Sequence, residues 1–200
     1  MIKYDSVVKE RIAMYFMAPG AVNTHHTLEI AAKYAANDLG MGIKTVLIAT
    51  CSGKTALEAA DIFADDVKII AVTHVTGFSA PNIQELSEKN RFTMIKRGIT
   101  VFTGQHAFGG VGRAVRNKLG TYQVDEIMAH TLRIFGQGTK VAIEIALMAA
   151  DAGLIRTDEE VISIGGTGEG ADTALVLRGA NSAHFFDLKV CEVLCKPREF

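Results

Sequence analysis

The 200-residue chain is 48% hydrophobic and carries a formal net charge of −1. That balance suits one globular domain over residues 1–200 and excludes a basic nucleic-acid stripe. No apolar run approaches the ~20 residues that cross a bilayer, and the charged start MIKYDSVVKER does not read as a signal peptide.

Residues 13–18 (AMYFMA) form an apolar run closed by Pro19-Gly20. Asn23 or Thr24 is the expected cap of a helix carrying Leu28, Ala31, Ala32, Ala35 and Leu39 at helical spacing, stopped by Gly40. A second strand over Val46–Ala49 leads to a helix over Thr55–Ala64. A third strand, Lys68–Thr73, leads through HVTGFSAP to a helix over Ile83–Lys96. Thr100–Thr103 is a fourth strand. Helical patterns then follow at Val111–Leu119, Val124–Phe135 and Thr139–Ala152. Val161–Ile164 is a fifth strand, and Ala174–Leu177 and Leu188–Leu194 are the last two. Such alternation predicts an α/β fold of three layers, α/β/α, with a mostly parallel sheet. The last two strands lack a helix between them, so they are expected to form a C-terminal antiparallel pair at one end of the sheet.

In sheets of this kind ligands bind at the carboxyl ends of the strands. The loops expected there are all rich in small polar residues: PGAVNT, TCSGKT, THVTGF, TGQHAFGG and GGTGEGADT. Turn chemistry explains any one of them, whereas five together point to a pocket. Within TCSGKT, Gly53-Lys54-Thr55 looks like the end of a nucleotide-binding P-loop. The pattern needs a glycine at position 48, where Ile48 stands, and the later strands close on Thr73, Thr103 and Gly165 rather than on a carboxylate. A P-loop nucleoside triphosphatase is therefore not expected. A smaller anion site is still possible: free N–H groups at a helix start, hydroxyls from Ser52 and Thr55, close approach at Gly53 and the charge of Lys54 suit one terminal phosphate. The alternative is that Ser52 simply caps the helix.

The TCSGKT segment carries a resemblance. Thr50-Cys51-Ser52-Gly53-Lys54-Thr55-Ala56 followed by Ile69-Ile70-Ala71-Val72-Thr73 is similar to the C-terminal α/β domain of pyruvate kinase. Across the whole chain the resemblance is to the stand-alone, mainly archaeal proteins of that superfamily. It rests on Asn23-Thr24, His74-x-Thr76-Gly77-Phe78, Glu144-x-x-x-Met148-Ala149-Ala150-Asp151, Gly165-Gly166 and Gly170-Ala171-Asp172-Thr173-Ala174. The resemblance implies a regulatory or binding domain without pyruvate kinase activity, because catalysis in that enzyme belongs to a separate barrel. It also implies a phosphorylated ligand, with flavin mononucleotide (FMN) first and a sugar phosphate as the alternative.

For a flavin, Ser52, Gly53, Lys54 and Thr55 would take the phosphate, with Thr50 and Cys51 in the same loop. Asn23, Thr24 and Thr167 would face the ribityl hydroxyls. Phe78, Phe108 and Met17 would line a slot for the ring, although each also reads as ordinary core. The remaining ligand-side expectations are Thr76, Gly77, Gly165, Gly166 and Asp172, the last ordering its loop through backbone bonds. His74 closes a strand on the rim, as an acid/base group, a ring-edge donor or a structural histidine. Glu144 sits in the apolar run VAIEIALMAA. It either bonds backbone N–H groups of a rim loop or faces the ligand. An enzyme acting on a phosphorylated metabolite, with His74 and Glu144 as acid and base, is the second reading, and an interaction subunit the third.

The three cysteines, Cys51, Cys191 and Cys195, are odd in number and split along the chain. Cys191 and Cys195, four apart on a strand, would lie roughly 13 Å from each other, too far to bridge. Reduced thiols and a cytoplasmic location are expected. No Cys-His arrangement stands out, and the adjacent His25-His26 pair points apart on a helix, so no metal site is expected. Neither a membrane nor nucleic acid is an expected partner. The apolar cluster Ile127, Met128, Leu132, Ile134 and Phe135 predicts a homo-oligomer, first of all a dimer.

Overall fold

The computed structural model describes residues 12–36 and 42–200, so the expected helix end at Leu39 and Gly40 lies outside the described residues. Seven strands form one sheet in the order β1-β7-β6-β5-β2-β3-β4. They are β1 (Met14–Phe16), β2 (Thr45–Ala49), β3 (Lys68–Thr73), β4 (Thr100–Thr103), β5 (Glu160–Gly165), β6 (Thr173–Arg178) and β7 (Lys189–Pro197). Six α-helices among the described residues flank it: α1 (Thr24–Ala35), α2 (Lys54–Ile62), α3 (Glu88–Lys96), α4 (Val111–Leu119), α5 (Val124–Arg133) and α6 (Gln137–Asp151). Parallel pairing links β5, β2, β3 and β4, and also β1 and β7. Only β6 runs against its neighbours, pairing antiparallel with both β5 and β7.

The fold is therefore the expected α/β one, with one difference in strand placement. The C-terminal antiparallel pair is not the end of the sheet, because β1 adds in parallel outside β7. This edge pairing sets Met14–Phe16 beside Cys195–Pro197, and no local sequence signal specifies it.

Strand alternation divides the core between two faces. Val46 and Ile48 pack with Leu28 of α1 and Ala56 of α2 on one side. Leu47, between them, packs with Ile70 and Leu147 on the other side, under α6. From Ala142 to Ala150 α6 is buried without a break, as expected of a helix that is apolar all round. Gly165 makes this contact possible: a Cβ there would lie 2.4 Å from the Gly138 carbonyl oxygen. The helix expected from Ile83 begins later, at Glu88, because Ser87 caps it by accepting from Asn90 N–H.

Candidate functional site

Because β1 to β5 run in one direction, the loops that follow them gather on one rim. Between those after β2, β3 and β5 opens a cleft of about 520 Å³. β2 and β5 are neighbours in the sheet but far apart in sequence, and their adjacent carboxyl ends make the crevice.

The 50–55 loop forms one wall. Gly53, not Ser52, is the residue preceding α2, and it has a left-handed φ of 90°. Its N–H is held by Thr50 Oγ1 at 3.1 Å, and no side chain caps the helix. The first N–H groups of α2 and the Ser52 hydroxyl are thus left for an outside partner. The loop is fixed from behind by Asn90 Nδ2, which donates to the Ser52 carbonyl at 2.7 Å. Ser52, Lys54, Thr55 and Thr50 all face the cleft. Gly53 does not: a Cβ there would meet Leu86, Asn90 and Met94 of the α3 region. Its role is to make the turn, not to let an anion approach.

The opposite wall is apolar, made by Val72, Val141, Ile145 and Met148. At the mouth the Phe78 ring stacks on His74, centroids 4.0 Å apart, and lies 5.2 Å from that of His106. Phe78 and His74 line the cleft as expected. Phe108 does not: it is buried against Phe185, centroids 5.7 Å apart, because its N–H is drawn inward by Glu144 Oε1 at 2.9 Å. Met17 is exposed away from the cleft.

The remaining expected residues separate into lining and framework. Gly166 lines the cleft, and so does Thr24, although its hydroxyl serves the framework by donating to the Ala21 carbonyl and accepting from the Ala171 N–H. Asn23 turns back to the Ala18 carbonyl. Thr76 accepts from Gln84, and Gly77, with φ of 90°, makes the turn closed by Ile83. Gly165 faces α6. Asp172 is fully buried behind the cleft, where Oδ2 accepts from Gly20 N–H and Thr167 N–H at 2.9 and 3.1 Å. It thereby clips the loop after β1 to the loop after β5. The Thr167 Oγ1 is buried without a partner.

Glu144 reaches the cleft from α6 but is committed to structure. Lys140, one turn earlier, donates to Glu144 Oε2, and His106 Nδ1 lies 3.7 Å away. Burial alone would raise the Glu144 pKa, but the bond from His106 and the charge and bond of Lys140 outweigh it and bring the carboxyl to about 2. A carboxylate held by the Phe108 N–H and by Lys140, with the His106 ring close by, is poorly suited to exchange protons. Of the two roles expected for Glu144, the contacts with the Phe108 N–H and Lys140 match the structural one.

Sequence spacing hid one constellation. Cys51 Sγ is 3.5 Å from both ring nitrogens of His74, and His74 Nδ1 is 2.5 Å from Glu85 Oε2. The signal was strand register. Ala49 pairs with Val72, and Cys51 and His74 are each two residues further on. Burial, then the nearby Glu85 and Glu169 carboxylates, push the thiol up to about 11, so the free thiol stays protonated and is no ready nucleophile. All three cysteines are unpaired, as expected for Cys191 and Cys195.

No helix among the described residues is long and apolar enough to cross a membrane. Compared with known families, residues 26–177 match the model described as pyruvate kinase, alpha/beta domain.

Proposed function

The chain belongs to the pyruvate kinase alpha/beta domain family, and from that premise we propose that it binds a phosphorylated small molecule in the cleft, FMN before a sugar phosphate. One observation carries the reading: an uncapped α2 N-terminus with hydroxyls and Lys54 faces an apolar wall across a single cleft. A helix start favours a phosphate, and an apolar wall favours a flat ring. The cleft volume, about 520 Å³, lies in the range of cofactor sites.

The residues present fit such a group. Ser52, Lys54 and Thr55 would hold the phosphate. Thr50 and the backbone at Gly166 and Gly168 would meet the ribityl hydroxyls, with the unsatisfied Thr167 hydroxyl beside them. Val72, Ile145 and Met148, with Phe78, would flank the ring. A bound flavin would supply redox chemistry of its own; the protein's part is to bind, orient and shield it. In this reading the protein acts in the cytoplasm, in keeping with its unpaired cysteines, and associates with itself through the apolar surface around α5.

The test is calorimetric titration of the purified chain with FMN and with riboflavin, after mass spectrometry of whatever co-purifies. Tighter binding of the phosphorylated form is expected. Equal affinity for both would end the phosphate reading, and binding of neither would end the flavin reading.

A further inference from the structure

Three groups with metal-ligating chemistry meet at the mouth of the cleft. One donor atom each from Cys51, His74 and Glu85 falls within 4.8 Å of the other two. They arrive on three segments, of which those of His74 and Glu85 brace each other. Cys51 follows β2 in the loop tied to α3 by Asn90. His74 follows β3 directly, and its carbonyl accepts from Gln84 Nε2 at 3.1 Å. Glu85 returns over the His74 ring on a loop closed by the bond from Gly77 N–H to the Ile83 carbonyl, at 2.9 Å. Cys51 and His74 are thus held by braced backbone, while Glu85 sits on an exposed loop that can adjust to an ion.

We propose that Cys51, His74 and Glu85 are a three-ligand site for a zinc-like divalent transition metal, with an open fourth position turned into the cleft. A thiolate, an imidazole and a carboxylate together suit a borderline-soft cation and not magnesium or calcium. Tetrahedral zinc, with bonds of about 2.3 Å to sulfur and about 2.0 Å to nitrogen, sets those two atoms about 3.5 Å apart. Cys51 Sγ stands 3.5 Å from each His74 ring nitrogen, so the sulfur is within reach, and the imidazole turns about its side-chain bonds to aim one in-plane lone pair at the ion. The His74–Glu85 contact, at 2.5 Å, is shorter than two ligands of one metal allow. The cation replaces that hydrogen bond, and the Glu85 side chain on its exposed loop moves out by about 1 Å. Three protein ligands and one open position is the pattern of a reactive rather than a structural zinc. Such an ion polarises an oxygen of whatever the cleft holds, or lowers the pKa of a bound water. The site is independent of which organic molecule occupies the cleft.

The test uses the tag-free full chain, stripped with a chelator and titrated with Co²⁺. One ion per chain is expected, with an intense near-ultraviolet thiolate-to-cobalt band that zinc abolishes. Cys51→Ser should remove that band. Glu85→Gln should weaken cobalt binding by about tenfold or more. His184→Ala, at an exposed position remote from the cleft, should change nothing. Cobalt binding without a thiolate band, or a band that survives Cys51→Ser, overturns the proposal. Should Cys51→Ser fail to fold by circular dichroism, Glu85→Gln decides, and unchanged affinity overturns it.

Discussion

Lys54 lies exposed at the first turn of α2 and has no carboxylate partner among the described residues. A charge-assisted bond to phosphate is worth about 1.5–3 kcal/mol, and exposure favours the lower figure. Lys54→Ala should therefore weaken FMN roughly tenfold and leave riboflavin unchanged, as read by calorimetry. Glu144 is the opposite case, buried and fully partnered. Its folded pKa, about 2, lies below the ordinary 4.5, so it contributes stability above pH 4.5 that is lost as pH falls toward 2. The shift corresponds to on the order of 3 kcal/mol. Glu144→Gln should flatten this acid limb. It should also lower neutral-pH stability by about 3–5 kcal/mol, because Lys140 is left buried and unpaired. Urea unfolding across a pH series measures both effects, and an unaltered acid limb would show that another group drives it. The apolar run around Glu144 made its burial legible in the sequence. A rim-loop backbone N–H was legible as a partner too, here that of Phe108, and Lys140 stands at i,i+4 spacing on the same helix, whereas His106 was not, because it reaches Glu144 only through a loop with no periodic signal.

The elements that could be read were the ones with local causes. Strand and helix alternation, the five polar loops and their shared rim follow from hydrophobic period and connection rules, and they stand as expected. What depends on register or edge pairing could not be read: β1 outside β7, and Cys51 against His74. Phe108 was misassigned because an apolar loop residue looks the same whether it faces a ligand or fills the core. Asp172 shows how the loops act as a unit. Asp172→Ala would leave Gly20 N–H and Thr167 N–H without their acceptor. Bonds to a charged group are worth about 1.5–3 kcal/mol each, so a loss on the order of 3 kcal/mol is expected. Thermal unfolding reads that loss, and hydrogen exchange should rise in residues 17–23 and 166–172 together. Faster exchange in only one loop would show that the two are not coupled. Gly53→Val should be costly for two reasons, its φ of 90° and the 3.0 Å approach of a Cβ to Leu86. The damage should appear as lost stability even without ligand.

At the scale of the whole molecule, the two helical layers are unequal. α6 is nearly all buried, whereas α4, packed outside it through α5, contains no buried residue. Met128 and Leu132 of α5 turn toward the core. Ile127, Ile134 and Phe135 turn outward and are 54%, 67% and 58% exposed, with Leu119 and Val124 similarly open. A stable dimer buries about 800 Å² on each partner, with aromatic and aliphatic anchors near the centre. The outer faces of α4 and α5 offer those anchors. Light scattering at micromolar concentration is expected to give twice the chain mass of 21.5 kDa. Ile134→Asp should convert the protein to a monomer with an unchanged circular dichroism spectrum, because the position is exposed in the isolated chain and a charge there costs little until a partner covers it. The cleft lies on the loop rim, so the monomeric variant should keep its affinity for FMN. A wild-type monomer would refute the self-association, and a dimer that persists in both Ile134→Asp and Ile127→Asp would move the interface to another surface.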